Sequence, residues 1–287
     1  MKRTTIIFAM TAIILGMLSC DKLKEPYFTE PIVQQSDTIA LEAADTANFD
    51  GKVVALLEDF TGVKCQNCPN AAEVANNLQA QYGESVVILG VHPNSGFTYQ
   101  DPSGGFPDFR TVDGEVWREQ YGIQSFPNGL VNRTGGVQGH ASWPASVTAS
   151  IAKDTPARLI VKTEFNDATR ELKVSVHTLI LQDIASHDVR LTVCMMEDNI
   201  IGKQIGSSGL INEYTHRHVF RGTADGLAWG KPLDMTGPDV MEAGRRFVTN
   251  MKFTVSDDYN ADEFYIVAFI SDNLTKEVLM AAERKIK

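Results

Sequence analysis

The sequence predicts a two-part molecule, an α/β domain followed by an all-β sandwich, and three observations carry that prediction. A continuous apolar run, Val53 to Leu57, leads into a Cys65-Gln66-Asn67-Cys68 motif, and helical apolar spacing and a second apolar run follow. From Ala157 onward the pattern changes to strand-length segments with period-two alternation. The chain has 287 residues, which exceeds the usual single core and fits two modest domains.

The first residues read Met1-Lys2-Arg3, then an apolar stretch from Ile6 to Leu18, then Ser19-Cys20, the layout of a secretory signal spanning residues 1–19. That stretch falls short of the roughly 20 residues a spanning helix needs. The end of the leader, Met17-Leu18-Ser19-Cys20, resembles the bacterial lipobox. The resemblance implies that Cys20 is lipidated, with palmitate among its acyl chains, and becomes the mature N-terminus. No segment from Asp21 to Lys287 is apolar enough to span a bilayer, so the N-terminal lipid is the expected membrane attachment. Residues 20–51, polar, acidic and weakly patterned, read as a tether, with a short first strand at Ile39 to Leu41.

Charge excludes one class of partner. The formal net charge is −10, and loss of Lys2 and Arg3 with the leader makes the mature chain more acidic still. A nucleic-acid surface is therefore not expected.

The elements of residues 52–153 follow in order. Val53 to Leu57 suits a strand buried on both faces, and it delivers Glu58, Asp59 and the cysteine motif. After Cys68, Ala71, Val74, Ala75, Leu78 and Tyr82 recur at helical spacing, Pro69 fits a first turn and Gly83 supplies a stop. Ser85 to Val91 reads as a second strand, parallel to the first through a right-handed crossover. Residues 95–110 read as an inserted loop, Val112 to Tyr121 as a helix ending at Gly122, and the residues up to Val131 as a short strand followed by a Gly135-Gly136 turn. A last helix opens at Ser142 and Pro144.

Residues 156–287 carry strand patterns at Leu159–Phe165, Leu172–Leu181, Val189–Met195, Phe247–Val255, Phe264–Ile270 and Val278–Ala282. By period two Cys194 falls with Arg190 and Thr192 on the polar face of its strand, under a loop. His216 and His218 alternate on what reads as a strand, a spacing that places two imidazoles on one face for a metal or partner. Trp117, Trp143, Trp229, Phe106 and Phe109 read first as core and loop packing.

Four cysteines, with Cys20 assigned to lipid, leave an odd number in an oxidising compartment, so the natural division is the close pair Cys65 and Cys68 plus a single thiol at Cys194. A thiolate attacks disulfides, and a helix N-terminus with unpaired N–H groups lowers a thiol's pKa. Cys65 lies there and reads as the more exposed, attacking cysteine, with Cys68 resolving and Lys64 adding positive charge. Two other readings stand beside this one. A Cys-x-x-Cys can be half of a zinc site, although no second pair exists and His92, His140, His216 and His218 form no obvious second half. It can also be a structural disulfide that never turns over. No cofactor is expected.

The run Gly51 to Phe60 ahead of the cysteines, followed by Tyr121-Gly122-Ile123-Gln124-Ser125-Phe126-Pro127, resembles extracytoplasmic thioredoxin-like proteins. That resemblance implies a proton-transfer role for Asp59, six positions before Cys65, and a cis Pro127 that docks the substrate backbone. The residue before the first cysteine, Lys64, and the intervening Gln66-Asn67 depart from thioredoxin. A second resemblance covers most of the chain. Glu58 to Gly62 with Cys65, Cys68 and Pro69, Val91-His92-Pro93, and Glu213 to Arg221 together are similar to the 28-kilodalton outer-membrane-protein-related lipoproteins of Bacteroidetes. It implies a thioredoxin-like domain, an immunoglobulin-like sandwich, and lipid anchoring at the outer membrane, facing the periplasm or the surface. The functional expectation is thiol–disulfide exchange on exported proteins or with a redox partner through Cys65, Cys68, Asp59 and Pro127. The alternative is a binding or adhesion lipoprotein in which the cysteine pair is a structural disulfide.

Overall fold

The computed structural model describes residues 37–47, 49–93, 100–186, 188–234 and 240–287. The leader, Cys20 and the first part of the tether segment lie outside the described residues. The end of that segment is docked on the protein. Residues Ile39 to Leu41 form no strand; the Ile39 N–H donates to Ser175 Oγ at 2.8 Å and its carbonyl accepts from His177 Nε2 at 2.9 Å. A side-chain acceptor and a side-chain donor thus replace the ladder partner a strand would need. A one-turn helix, α1 (Ala43–Thr46), follows, its Asp45 paired with Lys162 at 2.8 Å.

The α/β part is built on β1 (Ala55–Phe60), every residue of which is buried. The cysteine motif and α2 (Cys68–Tyr82) come next, then β2 (Val86–Val91), parallel to β1. After the loop, Thr111 caps α3 (Val112–Gln120) by accepting the Gly114 N–H at 3.1 Å. β3 (Asn128–Val131) pairs antiparallel with β1, β4 (Thr134–Gln138) pairs with β3, and α4 (Trp143–Ile151) closes the unit. Period-two alternation divides the strands between two cores. Ala55, Leu57 and Ile88 face α2 and α4, meeting Ala71, Leu78, Trp143 and Val147. Leu56, Leu89 and Leu130 face the other way, toward Trp117 of α3.

The β3–β4 turn is displaced from the expected Gly135-Gly136, which lies within β4. It falls at Asn132 and Arg133, both left-handed, with φ of 48° and 57°. That conformation costs a non-glycine residue about 1–2 kcal/mol. Tertiary contacts offset it: Asn132 Oδ1 accepts the Leu56 N–H at 2.7 Å, and Arg133 enters the core.

Beyond α4 the chain forms β5 (Ala157–Phe165), β6 (Glu171–Ile180), β7 (Val189–Glu197), β8 (Ile200–Gly206), β9 (Gly209–His216), β10 (Val219–Thr223), β11 (Lys231–Pro232), β12 (Arg246–Thr254), β13 (Phe264–Asp272) and β14 (Val278–Lys285). The sheet β12-β6-β5 packs on β14-β13-β7, enclosing Val174, Val176, Leu191, Val193, Ile266 and Phe253 in a sandwich core. The sequence patterns anticipate β5, β6, β7, β12, β13 and β14. They miss β8 to β11, whose apolar residues are sparse and interrupted by glycines.

The sandwich is not set apart from the α/β unit. One sheet runs β14-β13-β7-β10-β2-β1-β3-β4, joined where Val219 pairs parallel with Gly90. It curls until β14 meets the β3–β4 turn, Val278 N–H donating to the Asn132 carbonyl at 2.9 Å. The enclosed face is a second core of Trp117, Phe220, Phe269, Met196 and Cys194. This corrects the placement of Cys194. Its side of β7 is no polar face under a loop but the inside of the junction, where burial pushes the thiol pKa well up.

Within that core Arg133 donates to both carboxylate oxygens of Glu58, at 2.8 and 2.7 Å, with side-chain exposures of 1% and 0%. Its guanidinium carbon lies 4.8 Å from the Trp117 ring centroid and 4.9 Å from that of Phe269. Removing one member of a buried pair strands a charge, at a cost of about 3–5 kcal/mol, whereas replacing both with apolar groups is often near neutral. Arg133→Met should therefore lower stability in urea melts by several kcal/mol, and Glu58→Met combined with Arg133→Met should recover most of the loss. Additive losses in the double variant would contradict this reading.

Candidate functional site

The carboxyl end of β1 hands the chain to Thr61-Gly62-Val63-Lys64, then to Cys65, and α2 begins at Cys68 with Pro69 in its first turn. Cys65 and Cys68 are joined by a disulfide across that turn, with an S–S distance of 2.08 Å and a Cα separation of 5.4 Å. Pro127 follows a cis peptide bond from Phe126 and precedes Asn128, which pairs with Phe60 at the end of β1. The disulfide, Asp59 and Pro127 therefore gather at one end of the sheet.

Asp59 alternates with Glu58, so its side chain leaves β1 on the α2 face, where it is 3% exposed. Among the described residues its Oδ1 has no hydrogen-bond partner, and burial pushes the carboxyl pKa up to about 8. Tyr214 of β9 stands close: burial first, and then the charge of Asp59, raise the phenol pKa.

Two sequence expectations are corrected here. Cys65 is not the more exposed cysteine; both are 2% exposed. The β8–β9 hairpin lies over the loop. Gln204 Nε2 donates to the carbonyls of Gly62 at 3.1 Å and Cys65 at 3.2 Å, and Ile205 N–H donates to the Val63 carbonyl at 2.9 Å. Lys64 does not lend its charge freely to Cys65. It pairs with Asp101 at 2.7 Å and reaches Ser103 at 3.2 Å, and that bond holds the Asp101 carboxyl below the usual range.

His92, His216 and His218 are buried, and His140 is half-buried. Phe109 makes edge contacts with His92 at 5.1 Å and His216 at 4.8 Å between ring centroids, and burial holds the two pKa values at about 3 and about 4. His216 and His218 do not share one strand face. His216 ends β9, while His218 sits in a left-handed corner with Nε2 at 3.2 Å from Asn76 Oδ1 of α2. Among the described residues no group of three or more His, Cys, Asp or Glu is placed to hold a metal. Trp117, Trp143 and Phe109 are core residues, and Trp229 and Phe106 are half-buried against it.

Gln204 has no signal in the sequence, because it acts through a hairpin that reaches back over 139 residues to Cys65, whereas Tyr214 falls within the Glu213 to Arg221 run without its role being marked. The hairpin itself was findable: Gly206-Ser207-Ser208-Gly209 is a turn sequence between Ile200-Ile201 and Leu210-Ile211.

A disulfide-bearing α/β unit whose sheet continues into a β-sandwich defines the class of protein. The family described as outer membrane protein Omp28 matches residues 115–287, more than half of the chain, and the chain belongs to that family. Its place is accordingly the cell envelope, at the outer membrane; among the described residues no helix is long and apolar enough to cross a membrane. The fold is similar to that of HBP35 of Porphyromonas gingivalis, at 18% identity and a TM-score of 0.64, over 83% of this chain and 77% of that one. A protein from Agrobacterium tumefaciens is similar at 12% identity and a TM-score of 0.50, over 83% of this chain and 97% of that one. No curated protein matches the sequence significantly.

The Asp59 pKa carries a stability consequence. With the folded value near 8 and the unfolded value near 4, the native state holds more protons between those limits, so stability falls as pH rises across that window. The loss is on the order of 1.4 kcal/mol per pH unit at most. Asp59→Asn should match wild type near pH 4 and exceed it by a growing margin up to about pH 8. A margin independent of pH in thermal or urea melts would refute the buried, unpaired carboxyl.

Proposed function

We propose that this outer-membrane lipoprotein, held by lipid on Cys20, performs thiol–disulfide exchange on exported proteins through Cys65 and Cys68. In this reading residues 52–153 are a thioredoxin-like domain and residues 156–287 an immunoglobulin-like one. The strand order β2-β1-β3-β4 and the helices α2 and α4 opposite α3 support the first assignment. The two-sheet packing of β12-β6-β5 on β14-β13-β7 supports the second.

One observation carries the chemical reading. A carboxyl on the disulfide's side of β1, buried and without a partner on one oxygen, destabilises the fold and supplies a proton donor and acceptor near neutral pH. With the disulfide formed, a client thiolate attacks the Cys65 sulfur, the Cys65–Cys68 bond breaks, and Cys68 departs as a thiolate that takes the Asp59 proton. A second client thiolate then attacks the client sulfur of the mixed disulfide and releases Cys65. Two electrons pass from client dithiol to the cysteine pair, and the client gains a disulfide. Run in reverse, Cys65 attacks a client disulfide and Cys68 resolves it. Pro127, at the end of β3 nearest Thr61, is assigned to present the client backbone.

The burial of both cysteines favours a second reading, a binding lipoprotein in which the pair is a staple worth about 2–4 kcal/mol. Trapping separates the two. Under exchange, Cys68→Ser should accumulate mixed disulfides with exported proteins on non-reducing gels of envelope fractions, and Cys65→Ser should not. If Cys68→Ser traps nothing while reduction costs the purified protein several kcal/mol of stability, the staple is the correct account.

A further inference from the structure

We infer that the β8–β9 hairpin occupies the client-binding face of the cysteine motif and acts as an intramolecular competitor, so that Cys65 meets an extended client only when the hairpin lifts. The inference rests on the exchange reading above and adds what controls it.

The contacts have the character of a bound peptide. Ile205 gives its backbone N–H to the Val63 carbonyl, two residues before Cys65, a main-chain bond of the kind an added strand makes. The Gln204 carboxamide, 3% exposed, spends its donor on the Gly62 and Cys65 carbonyls and on that of Ile205. Lys203 Nζ reaches the Gly104 carbonyl at 2.8 Å on the neighbouring loop. An extended client lying along the same loop would need the same carbonyls.

The hairpin is also built to come away. Among the described residues β8 and β9 form strand ladders only with each other, as a two-stranded sheet outside the long sheet and the sandwich. Isolated two-stranded hairpins are marginal in water, so this one depends on its seat. Its outer side carries exposed Ile201 and Leu210, which leave little of the ribbon buried beyond Gln204, Gly206 and His216. The end of the hairpin is firmer: Gly90 N–H donates to the His218 carbonyl at 2.7 Å, and His218 meets Asn76. That corner can serve as the hinge while the Gln204 half swings.

The test uses the full chain in its oxidised form and two electron donors, dithiothreitol and reduced, unfolded ribonuclease. If the hairpin competes, Gln204→Ala should accelerate reduction of the Cys65–Cys68 disulfide by the ribonuclease dithiols, which are oxidised in turn, about tenfold, roughly what one lost net hydrogen bond gives an opening equilibrium. Reaction with dithiothreitol should rise less, and the reduction potential should be unchanged from wild type. Ile201→Ser, on the open side of the hairpin, should leave both rates unchanged. Equal rates for wild type and a folded Gln204→Ala, with trapping by Cys68→Ser intact, overturn the competitor while sparing the exchange reading. No reaction with either donor in any variant overturns both. Amide hydrogen exchange on the wild-type protein gives an independent check: the Ile205 N–H should exchange by local opening, well before the amides of β1. Exchange of Ile205 only with global unfolding would show that the hairpin is a fixed part of the fold.

Discussion

The buried pair of Glu58 and Arg133 is the constraint on which the rest of the architecture hangs. Two charges at 2.7 Å inside an aromatic core are tolerated only while both stay in place, so β1 and the β3–β4 turn are locked in one register. That lock explains the left-handed turn at Asn132 and Arg133, since only this turn brings the guanidinium inward. It also sets the end of the curled sheet, because Val278 closes on the Asn132 carbonyl and Phe269 lies against Arg133. The sandwich is thereby seated on the α/β unit, and β8 and β9, which hang from β7 and β10, come to rest on the cysteine loop.

Adjacent acids on one strand meet opposite fates. Glu58 faces Arg133 and both of its oxygens are bonded; Asp59 faces α2 and one of its oxygens has no partner among the described residues. A fold selected for stability alone has no use for the second arrangement, which penalises the native state through the neutral pH range. The contrast is local and internal to β1, so it does not depend on any comparison with other proteins. It is the observation on which the proposed exchange at the disulfide end of the sheet rests.

Much of this was legible in the residues. The runs Val53 to Leu57 and Val86 to Val91 announce strands buried on both faces, and Thr111, Pro69 and Gly83 mark helix ends through local chemistry that needs no tertiary help. The sandwich strands β5, β6, β7, β12, β13 and β14 also declare themselves, because alternation over eight to ten residues is a strong signal. What escaped was set by distant contacts. The Asn132-Arg133 turn contradicts local preference and is held by Glu58, 75 residues away. The polar side of β7 is an inside face because a second core covers it, which no period-two count reveals. The bond that Gln204 makes to the Cys65 carbonyl comes from 139 residues on, and a motif read at the helix N-terminus carries no trace of it.

Burial and reactivity pull in different directions at this site. A covered disulfide reads as a staple, and an uncovered one beside a proton-exchanging carboxyl reads as an exchanger; a detachable hairpin lets one molecule be both in turn. The central claim is that the Cys65–Cys68 pair turns over, and its equilibrium against defined ratios of reduced and oxidised dithiothreitol tests that most directly. Structural disulfides fall below about −300 mV, and exchanging ones lie above it. The account predicts a reduction potential above that boundary for the full chain at pH 7; a value well below it would contradict the account and leave the pair as a staple.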